Sequence, residues 1–456
     1  MAAGLRTIAV DLTPLLPGGE NGGAKIFVLE LLRELALLAP QTRFVLLTRD
    51  SSHDELAFLD RPNMERRMVL NASPGPSVPP RMLRLAGRVL PYLPGRVRRL
   101  VTRLGFRLNA ALKRGQSRRS LLHNLGADLL YCPFTAPIYA ETGIPVVCTV
   151  HDLQFKTYPE FFSPEDVAHR DQAFMDAAHR ASMIGAVSEY SRQSAITHGK
   201  LDPLRIRAIH LRMAKRTDAE VADGAGLLGR LGLKGGRYLT YPANFWRHKN
   251  HEMLFTAFGI ACANGLPGDI KLVCTGAPGE RQRWLAQAAQ ALGLGERIVF
   301  PGFLSTADFG ALMANSCAVV FPSLYEGFGL PVIEAMAAGK PVACSNGTSL
   351  PEVANGAALL FDPRIPDQIA EAIVTLVTDA NLRSQLVAAG EQRAAEYADP
   401  ARMAREYWQL FQEALDSPEP GHGSRSQGDE AAKTRRASES ATQQKSVPSS
   451  SAGHRA

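Results

Sequence analysis

The sequence predicts an α/β protein with two doubly wound parallel sheets that face each other across a central cleft. The chain has 456 residues, about three times the length of a typical single domain. Short apolar runs of strand length alternate with helical segments in both halves, as in parallel sheets that helices cover on both faces. A segment rich in Gly and Asp, residues 217–236, separates the halves, and we place the hinge there.

The composition is that of a globular protein. Apolar residues account for 45% of the chain and charged residues for 21%, which excludes collagen-like, coiled-coil and wholly disordered chains. No apolar stretch approaches the roughly 20 residues that a membrane-spanning helix needs. The apolar run near the N-terminus is also too short for a secretion signal. We therefore expect a cytoplasmic protein that does not span a membrane.

The first domain is predicted over residues 1–220. Its strands are predicted in five apolar runs: LRTIAVD at 5–11, RFVLLT at 43–48, GADLLYC at 126–132, IPVVCTV at 144–150 and MIGAV at 183–187. The glycine-rich loop PGGENGG follows the first run and opens a long helix with apolar periodicity. The domain therefore begins with a strand, a loop and a helix.

The second domain is predicted over residues 236–400, where the alternation restarts. Six strands are predicted in the runs RYLTYP, IKLVCTG, RIVFPG, AVVFPS, PVACSN and AALLFDP. Helices predicted over residues 251–263, 281–292, 305–315 and 331–338 separate several of these runs. Because strands and helices alternate again, this half is predicted to form its own parallel sheet.

A basic insert, residues 72–122, interrupts the first domain. Between positions 81 and 119 it carries twelve Lys or Arg residues and no Asp or Glu, which exceeds the net charge of +7 for the whole chain. On a helix, four arginines form one stripe beside an apolar face: Arg96, Arg99, Arg103 and Arg107. We predict that this amphipathic helix contacts an anionic membrane surface.

Two other interpretations of the basic insert are weaker. A solvated Arg-rich helix is the simplest alternative. Nucleic-acid binding is not predicted, because the basic span offers only Tyr92 and Phe106 for base stacking.

Residues 417–456 contain one branched aliphatic residue, Val447, and no aromatic residue, so this segment is predicted to be a disordered tail.

The stretch FPSLYEGFGLPVIEAMAAGKPVACSN, residues 321–346, carries the strongest functional signal. It predicts a strand end, a loop of small residues and a helix that begins near Pro331. The amides before that helix lack partners within it, and the positive end of the helix dipole favours an anionic phosphate. Glu326 and Glu334 offer carboxylates to the hydroxyls of a sugar nucleotide. Taken singly, a solvated loop glutamate and a helix-start glutamate are the simpler interpretation.

Further candidates stand at other junctions between strands and helices. Arg247 and Lys249 precede a predicted helix, where a cation is slightly unfavourable unless an anion binds nearby. Gly22 and Gly23 open the first long helix and allow a diphosphate to approach the backbone closely. His151 ends a strand, where α/β sheets present side chains to the cleft. A turn and a structural histidine are the alternative interpretations.

Together these motifs resemble the retaining glycosyltransferase family 4, the group 1 glycosyltransferases of GT-B fold. The resemblance rests on EGFGLPVIEAMAAGKPV, TSLPEV at 348–353, the upstream RHKN, the N-terminal glycine loop, His151-Asp152 and SEYS at 188–191. It covers about residues 5–415 and is strongest over 238–363. It implies two Rossmann-like domains and a last helix, residues 401–416, that returns to pack across the hinge.

The resemblance also implies roles for individual residues. Catalytic roles are implied for Glu326 and His151, which would contact the transferred sugar, and for Lys249, which would neutralise the diphosphate. Glu334 would bind the ribose of the donor. Further donor-binding roles are implied for Arg247, Gly327, Phe328, Gly329, Leu330, Gly22 and Gly23. Many relatives carry an arginine a few residues before the lysine, in a window that reads Pro242-Ala243-Asn244 here, so Arg247 is the candidate replacement. The chain lacks the metal-binding DxD of the other major glycosyltransferase architecture, so neither a metal nor another cofactor is predicted.

The implied reaction is transfer of a hexose from a nucleoside diphosphate sugar to a hydroxyl acceptor with retention of configuration. The resemblance weights mannose among the hexoses, and a lipid-linked or saccharide acceptor in cell-surface polysaccharide assembly. The basic insert then predicts a peripheral location on the inner face of the cytoplasmic membrane. Two other hypotheses are a catalytically silent sugar-nucleotide binder on the membrane surface and a GT-B epimerase that acts on the nucleotide sugar.

Overall fold

Two parallel β-sheets form the framework of the protein. A computed structural model describes residues 4–18, 21–70, 121–213 and 224–417. In these residues the first sheet has the strand order β3-β2-β1-β4-β5-β6-β7 and the second has the order β10-β9-β8-β11-β12-β13. The strands are β1 Thr7–Asp11, β2 Arg43–Arg49, β3 Met64–Leu70, β4 Leu129–Cys132, β5 Val146–Val150, β6 Met183–Ala186, β7 Ile206–Ala208, β8 Tyr238–Pro242, β9 Lys271–Thr275, β10 Ile298–Val299, β11 Ala318–Phe321, β12 Val342–Ser345 and β13 Leu359–Phe361.

Helices connect the strands and cover the sheets. The described helices are α1 Gly22–Leu38, α2 Asp50–His53, α3 Leu121–Leu125, α4 Gln154–Thr157, α5 Pro164–Arg180, α6 Glu189–Gly199, α7 Gly224–Arg230, α8 His251–Ala263, α9 Glu280–Ala291, α10 Thr306–Ala314, α11 Leu330–Ala337, α12 Leu350–Ala354, α13 Pro366–Thr378, α14 Ala380–Ala395 and α15 Pro400–Asp416. The predicted α/β class with two doubly wound parallel sheets is therefore confirmed.

Each sheet has a point where its strand order reverses. In the first sheet β1 pairs with both β2 and β4, and in the second β8 pairs with both β9 and β11. Ligands of such open sheets bind outside the carboxyl ends of the strands at this reversal. The loops that follow β1, β8 and β11 are the glycine loop, residues 243–250 and residues 322–329. The topology therefore places three of the predicted motifs at such reversals.

Two edge strands escaped the sequence-based prediction. β3 reads MERRMVL and has one buried residue, and β7 is only three residues long. An edge strand pairs on one side only, so its side chains need not be apolar. The hydrophobic pattern that predicted the central strands is therefore weak at both edges.

The last described helix, α15, packs on the first domain although it follows the second in sequence. Phe411 of α15 is fully buried, with its ring centroid 5.1 Å from that of Tyr131 in β4. Tyr407 shares a hydrogen bond of 3.1 Å with Thr149 in β5. The helix therefore adds to the core that α1 forms with the first sheet.

Several predicted segments lie partly or wholly outside the described residues. They include most of the basic insert with Arg96, Arg99, Arg103 and Arg107, and the predicted tail beyond residue 417. Of the predicted hinge, residues 217–223 also lie outside, whereas residues 224–230 form α7, which packs against α10 of the second domain through Leu227 and Leu228. Within the described residues, no helix combines the length and apolar character needed to cross a bilayer.

Candidate active site

The loop after β8 is fixed to the loop after β11. Asn250 has a positive φ of 62°. The nitrogen of its side-chain amide donates hydrogen bonds to the carbonyls of Pro322 and Pro363. The amide of Leu324 donates to the carbonyl of His248 at 2.8 Å. Both loops therefore present their side chains from one rigid surface at the reversal point of the second sheet.

Lys249 and Glu326 face each other on this surface. The Nζ atom of Lys249 lies 2.5 Å from the Oε1 atom of Glu326, and each side chain is 11% exposed. Each charge is thus largely removed from water and neutralised by the other. The sequence analysis assigned one residue to the diphosphate and the other to the sugar but did not predict that they would touch.

The loop after Glu326 presents four amides without protein partners. Within the described part of the chain, no acceptor binds the N–H groups of residues 327–330. Gly329 has a positive φ of 98° and immediately precedes α11, whose first residues are Leu330 and Pro331. Unpaired amides at the positive end of a helix dipole form a binding surface for anionic or hydroxyl oxygens. The helix begins where the sequence predicted it, and the binding of a ligand by these amides stays a prediction.

Glu334 and Arg247 occupy different environments near this loop. Glu334 lies in α11 and is 2% exposed. Arg247 begins a short 3-10 helix, Arg247–Lys249, and is exposed. Glu334 as a ribose ligand and Arg247 as the replacement arginine both stay predictions.

His151 ends β5 on the opposite side of the cleft. Its Nε2 atom lies 2.8 Å from the carbonyl of Pro133, and because a carbonyl only accepts, Nε2 carries the proton. Burial lowers the pKa of His151, although this hydrogen bond and the charge of Asp152 act in the other direction. The imidazole is therefore neutral near pH 7, and its Nδ1 atom is an acceptor.

A second histidine beside Lys249 is also neutral. Burial and the charge of Lys249 lower the pKa of His248 to about 4. The only described cations of the 247–249 turn at neutral pH are consequently Arg247 and Lys249.

The glycine pair of the first domain lies against the second domain. An added Cβ on Gly22, which has a φ of 52°, would lie 3.4 Å from the indole of Trp246, and one on Gly23 would lie 3.6 Å from Leu330. The start of α1 therefore lies next to the start of α11. The structure brings the two predicted phosphate-binding turns together, and their contact with a phosphate stays a prediction.

The sequence analysis missed several groups that join the domains around this loop. Tyr325 is 2% exposed and packs edge-on against Tyr158 and Tyr190 of the first domain. The hydroxyls of Ser188 and Ser191 donate to the carbonyl of Gly327. Both serines belong to the SEYS motif, which supports the family resemblance. Hydrogen bonds between distant segments leave no periodic signal in a sequence, so this motif is the one sequence feature that could indicate these contacts.

No group of three or more His, Cys, Asp or Glu side chains is placed to hold a metal ion among the described residues. Charged side chains and the helix dipole can act on a ligand at this site. Lys249 is the buried cation of this set.

Both halves of the chain match known families of glycosyltransferases. The family described as "Glycosyltransferase Family 4" matches residues 21–211, and "Glycosyl transferases group 1" matches residues 230–393. The matches fall on the first and the second sheet respectively. The chain belongs to the group 1 glycosyltransferases of GT-B fold.

Two curated relatives act on mannose according to their names. The O-antigen chain mannosyltransferase B of Escherichia coli is 30% identical over 259 residues, which cover 55% of this chain and 66% of that protein. The serotype-specific mannosyltransferase WbdA of Escherichia coli is 27% identical over 334 residues, which cover 67% of this chain and 40% of that protein. The chain thus spans less than two thirds of the length of either relative.

Solved structures share the architecture at low sequence identity. The crystal structure of HepE from Anabaena in complex with UDP-glucose matches with a TM-score of 0.64 and 19% identity. The match covers 89% of this chain and 99% of that chain. This likeness establishes the shared GT-B fold.

Proposed function

We propose that the protein transfers a hexose from a nucleoside diphosphate sugar to a hydroxyl acceptor, with retention of anomeric configuration. The observation that carries the proposal is the row of four unpaired amides at residues 327–330, beside the buried pair of Lys249 and Glu326. Amides at a helix start bind phosphate oxygens, and a neighbouring ammonium neutralises their charge. A carboxylate in the same pocket accepts hydrogen bonds from sugar hydroxyls.

The Lys249–Glu326 pair explains how the site tolerates two largely buried charges. Each residue is the counter-ion of the other. A diphosphate brings new negative charge to Lys249, so Glu326 can exchange this partner for the hydroxyls of the sugar. The ammonium and the helix dipole then stabilise the charge that develops on the leaving diphosphate.

His151 completes the sugar side of the proposed site. A neutral imidazole with its proton on Nε2 can accept a hydrogen bond at Nδ1 from a sugar hydroxyl. We therefore assign His151 to the transferred sugar, as the sequence analysis predicted.

Mannose is the hexose that we propose first. The names of the two curated relatives support mannose, and the complex of HepE supports a nucleotide sugar as donor. The O-antigen in the name of the first relative supports a role in cell-surface polysaccharide assembly. For the acceptor we propose a lipid-linked or saccharide hydroxyl. For the basic insert we propose an anionic membrane surface, which retention of the full chain on vesicles containing phosphatidylglycerol would test.

A panel of nucleotide sugars, assayed with and without lipid extract, tests the function. Replacing Glu326 by Gln keeps the volume but removes the charge, so transfer is expected to fall at least about 100-fold. Loss of the counter-ion of Lys249 should also lower the melting temperature, so both proteins are assayed well below the melting temperature of the variant. Glu371→Gln, on the exposed face of α13, is the control. Transfer by E326Q at the wild-type rate would exclude the assigned role.

The panel also separates the alternatives. Binding of a donor without turnover would identify a silent sugar-nucleotide binder. Conversion of the donor into another nucleotide sugar without any acceptor would identify an epimerase. Loss of retention, read from the anomeric configuration of the product, would refute the proposed stereochemistry.

A further inference from the structure

Three buried serine hydroxyls hold three successive carbonyls of the amide loop. The hydroxyl of Ser349 lies 3.0 Å from the carbonyl oxygens of both Glu326 and Phe328, which share its single proton. The carbonyl between them, that of Gly327, accepts from Ser188 at 2.6 Å and from Ser191 at 3.2 Å. All three serines are fully buried. Every carbonyl that precedes an amide at positions 327–329 is therefore fixed by a hydroxyl.

The planarity of the peptide bond converts these contacts into amide directions. In a trans peptide the N–H points opposite to the C=O of the same unit. Ser349 thus directs the amides of Gly327 and Gly329 away from itself. Ser188 and Ser191 do the same for the amide of Phe328. The hydroxyls set the directions in which the unpaired amides can meet a ligand.

The serines belong to different domains. Ser349 precedes α12 of the second domain, so its contacts lie within that domain. Ser188 and Ser191 lie at the start of α6 in the first domain. Ser191 also donates to the carbonyl of His151 at 3.1 Å. The direction of the Phe328 amide is therefore the one that depends on contact between the domains.

We propose that Ser188 and Ser191 are positioning residues that orient the Phe328 amide toward the donor only when the two domains are closed. The inference rests on the proposed function, because it assumes that the amides bind a diphosphate or the attached sugar. In the open state the Gly327–Phe328 peptide is free to rotate, and its amide is lost as a fixed donor. Closure then completes the anion-binding surface at the moment when water is excluded.

The same contacts admit a purely structural role, which the choice of variants must separate. Ser188 caps α6, since its hydroxyl accepts from the amide of Ser191 at 3.0 Å. Ser163 caps α5 in the same way through the amide of Asp166 at 3.1 Å, and among the described residues it makes no hydrogen bond to the second domain. Ser163→Ala is thus the matched control for loss of a serine hydroxyl at a helix start.

The first readout is affinity for UDP or GDP, whichever the full-length wild type binds more tightly in calorimetry. Ser191→Ala leaves the cap hydroxyl in place and removes the hydroxyl that the carbonyls of Gly327 and His151 share. We expect a fivefold to tenfold loss of affinity, which corresponds to the loss of about one hydrogen bond. The loss of kcat is expected to be larger. The control S163A is expected to keep wild-type affinity. Equal affinities for S191A, S163A and the wild type would overturn the proposal.

The second readout is hydrogen exchange at the amides of Glu189 and Tyr190, which donate across the interface to Glu352. S191A is expected to accelerate their exchange, whereas Ser349→Ala is expected to weaken nucleotide binding without this acceleration. Ser188→Asp retains a capping oxygen but has no hydroxyl proton to donate, so it should open the interface further. Slow exchange in both S191A and S188D would contradict closure dependence.

Failure of the proposed function gives a different pattern from failure of this inference. A wild type that binds nucleotide but transfers no sugar would refute the transferase, and the affinity and exchange differences would still decide the role of the serines. Normal transfer by S191A, with kcat and KM as in S163A, would leave the transferase intact and refute the positioning role.

Discussion

At the scale of single residues, one carboxylate of the second domain accepts three hydrogen bonds from the first domain. Glu352 of the second domain accepts from the amides of Glu189 and Tyr190 at 2.7 and 3.0 Å and from Nε2 of His210 at 2.6 Å. The two amides are at the start of α6, where the helix dipole favours a negative charge. Glu352 therefore holds the helix that carries Ser188 and Ser191 in place.

The stability of this contact is expected to depend on pH. Burial alone would raise the pKa of Glu352, but the hydrogen bonds from His210, Glu189 and Tyr190 lower it below its ordinary value of 4.5. A lowered pKa means that the stabilisation is complete above pH 4.5 and is lost as the pH falls through the lowered value. Glu352→Gln should reduce the melting temperature at pH 7, and the difference from wild type should shrink below pH 4.5.

Thermal unfolding measured from pH 7 to pH 3 checks this prediction. Glu189→Gln is the control, because the carboxylate of Glu189 pairs with Arg192 on the same helix and the substitution leaves the amide that Glu352 accepts. A difference between wild type and E352Q that stays constant across the range would show that the charge of Glu352 does not stabilise the folded protein.

The residues that the sequence predicted and those that it missed differ in a physical way. Lys249 and Glu326 stand at junctions of strand and helix, where topology alone brings them to the cleft. The hydroxyls of Ser188 and Ser349 act on main-chain carbonyls of a distant segment. Serine is common at helix starts for local reasons, so its long-range partner has no sequence signature. Only the tertiary structure shows which carbonyl each serine contacts.

At the scale of elements, apolar runs predicted strands where both faces of the sheet are covered. β8 and β11 are buried at every residue, and helix α8 was predicted with its observed bounds. The edge strand β3 carries Arg and Glu and lacks this signal. The structural role of α15 depends on a crossing between domains, which periodicity does not reveal. The resemblance, and not the pattern, supplied that expectation.

Helix α15 is expected to contribute strongly to the stability of the first domain. Phe411 is fully buried against Tyr131 and Tyr407, so Phe411→Ala should cost about 3–5 kcal/mol of unfolding free energy. Gln409→Ala, on the exposed face of the same helix, is the control and should change stability by less than about 0.5 kcal/mol. Urea denaturation followed by tryptophan fluorescence measures both. Equal midpoints for the two variants would show that α15 is not part of the cooperative core.

At the scale of the whole molecule, the arrangement of the domains depends on one very close approach. The Cα of Gly327 lies against the carbonyl of His151, and an added Cβ would be 2.1 Å from that oxygen. Gly327 is not among the glycines with positive φ, so alanine fits its backbone conformation. The glycine is required by the opposite domain and not by the fold of its own loop.

Gly327→Ala is therefore expected to prevent closure without unfolding either domain. Transfer should fall at least about 100-fold, because the amides of one domain and His151 of the other no longer meet, while the melting temperature stays within a few degrees of wild type. Gly268→Ala, at a loop position where a Cβ meets nothing within 4 Å, controls for the loss of a glycine. Small-angle scattering should report a larger radius of gyration for G327A alone. If G327A remained as compact and as active as G268A, the closed arrangement could not be the state in which transfer occurs.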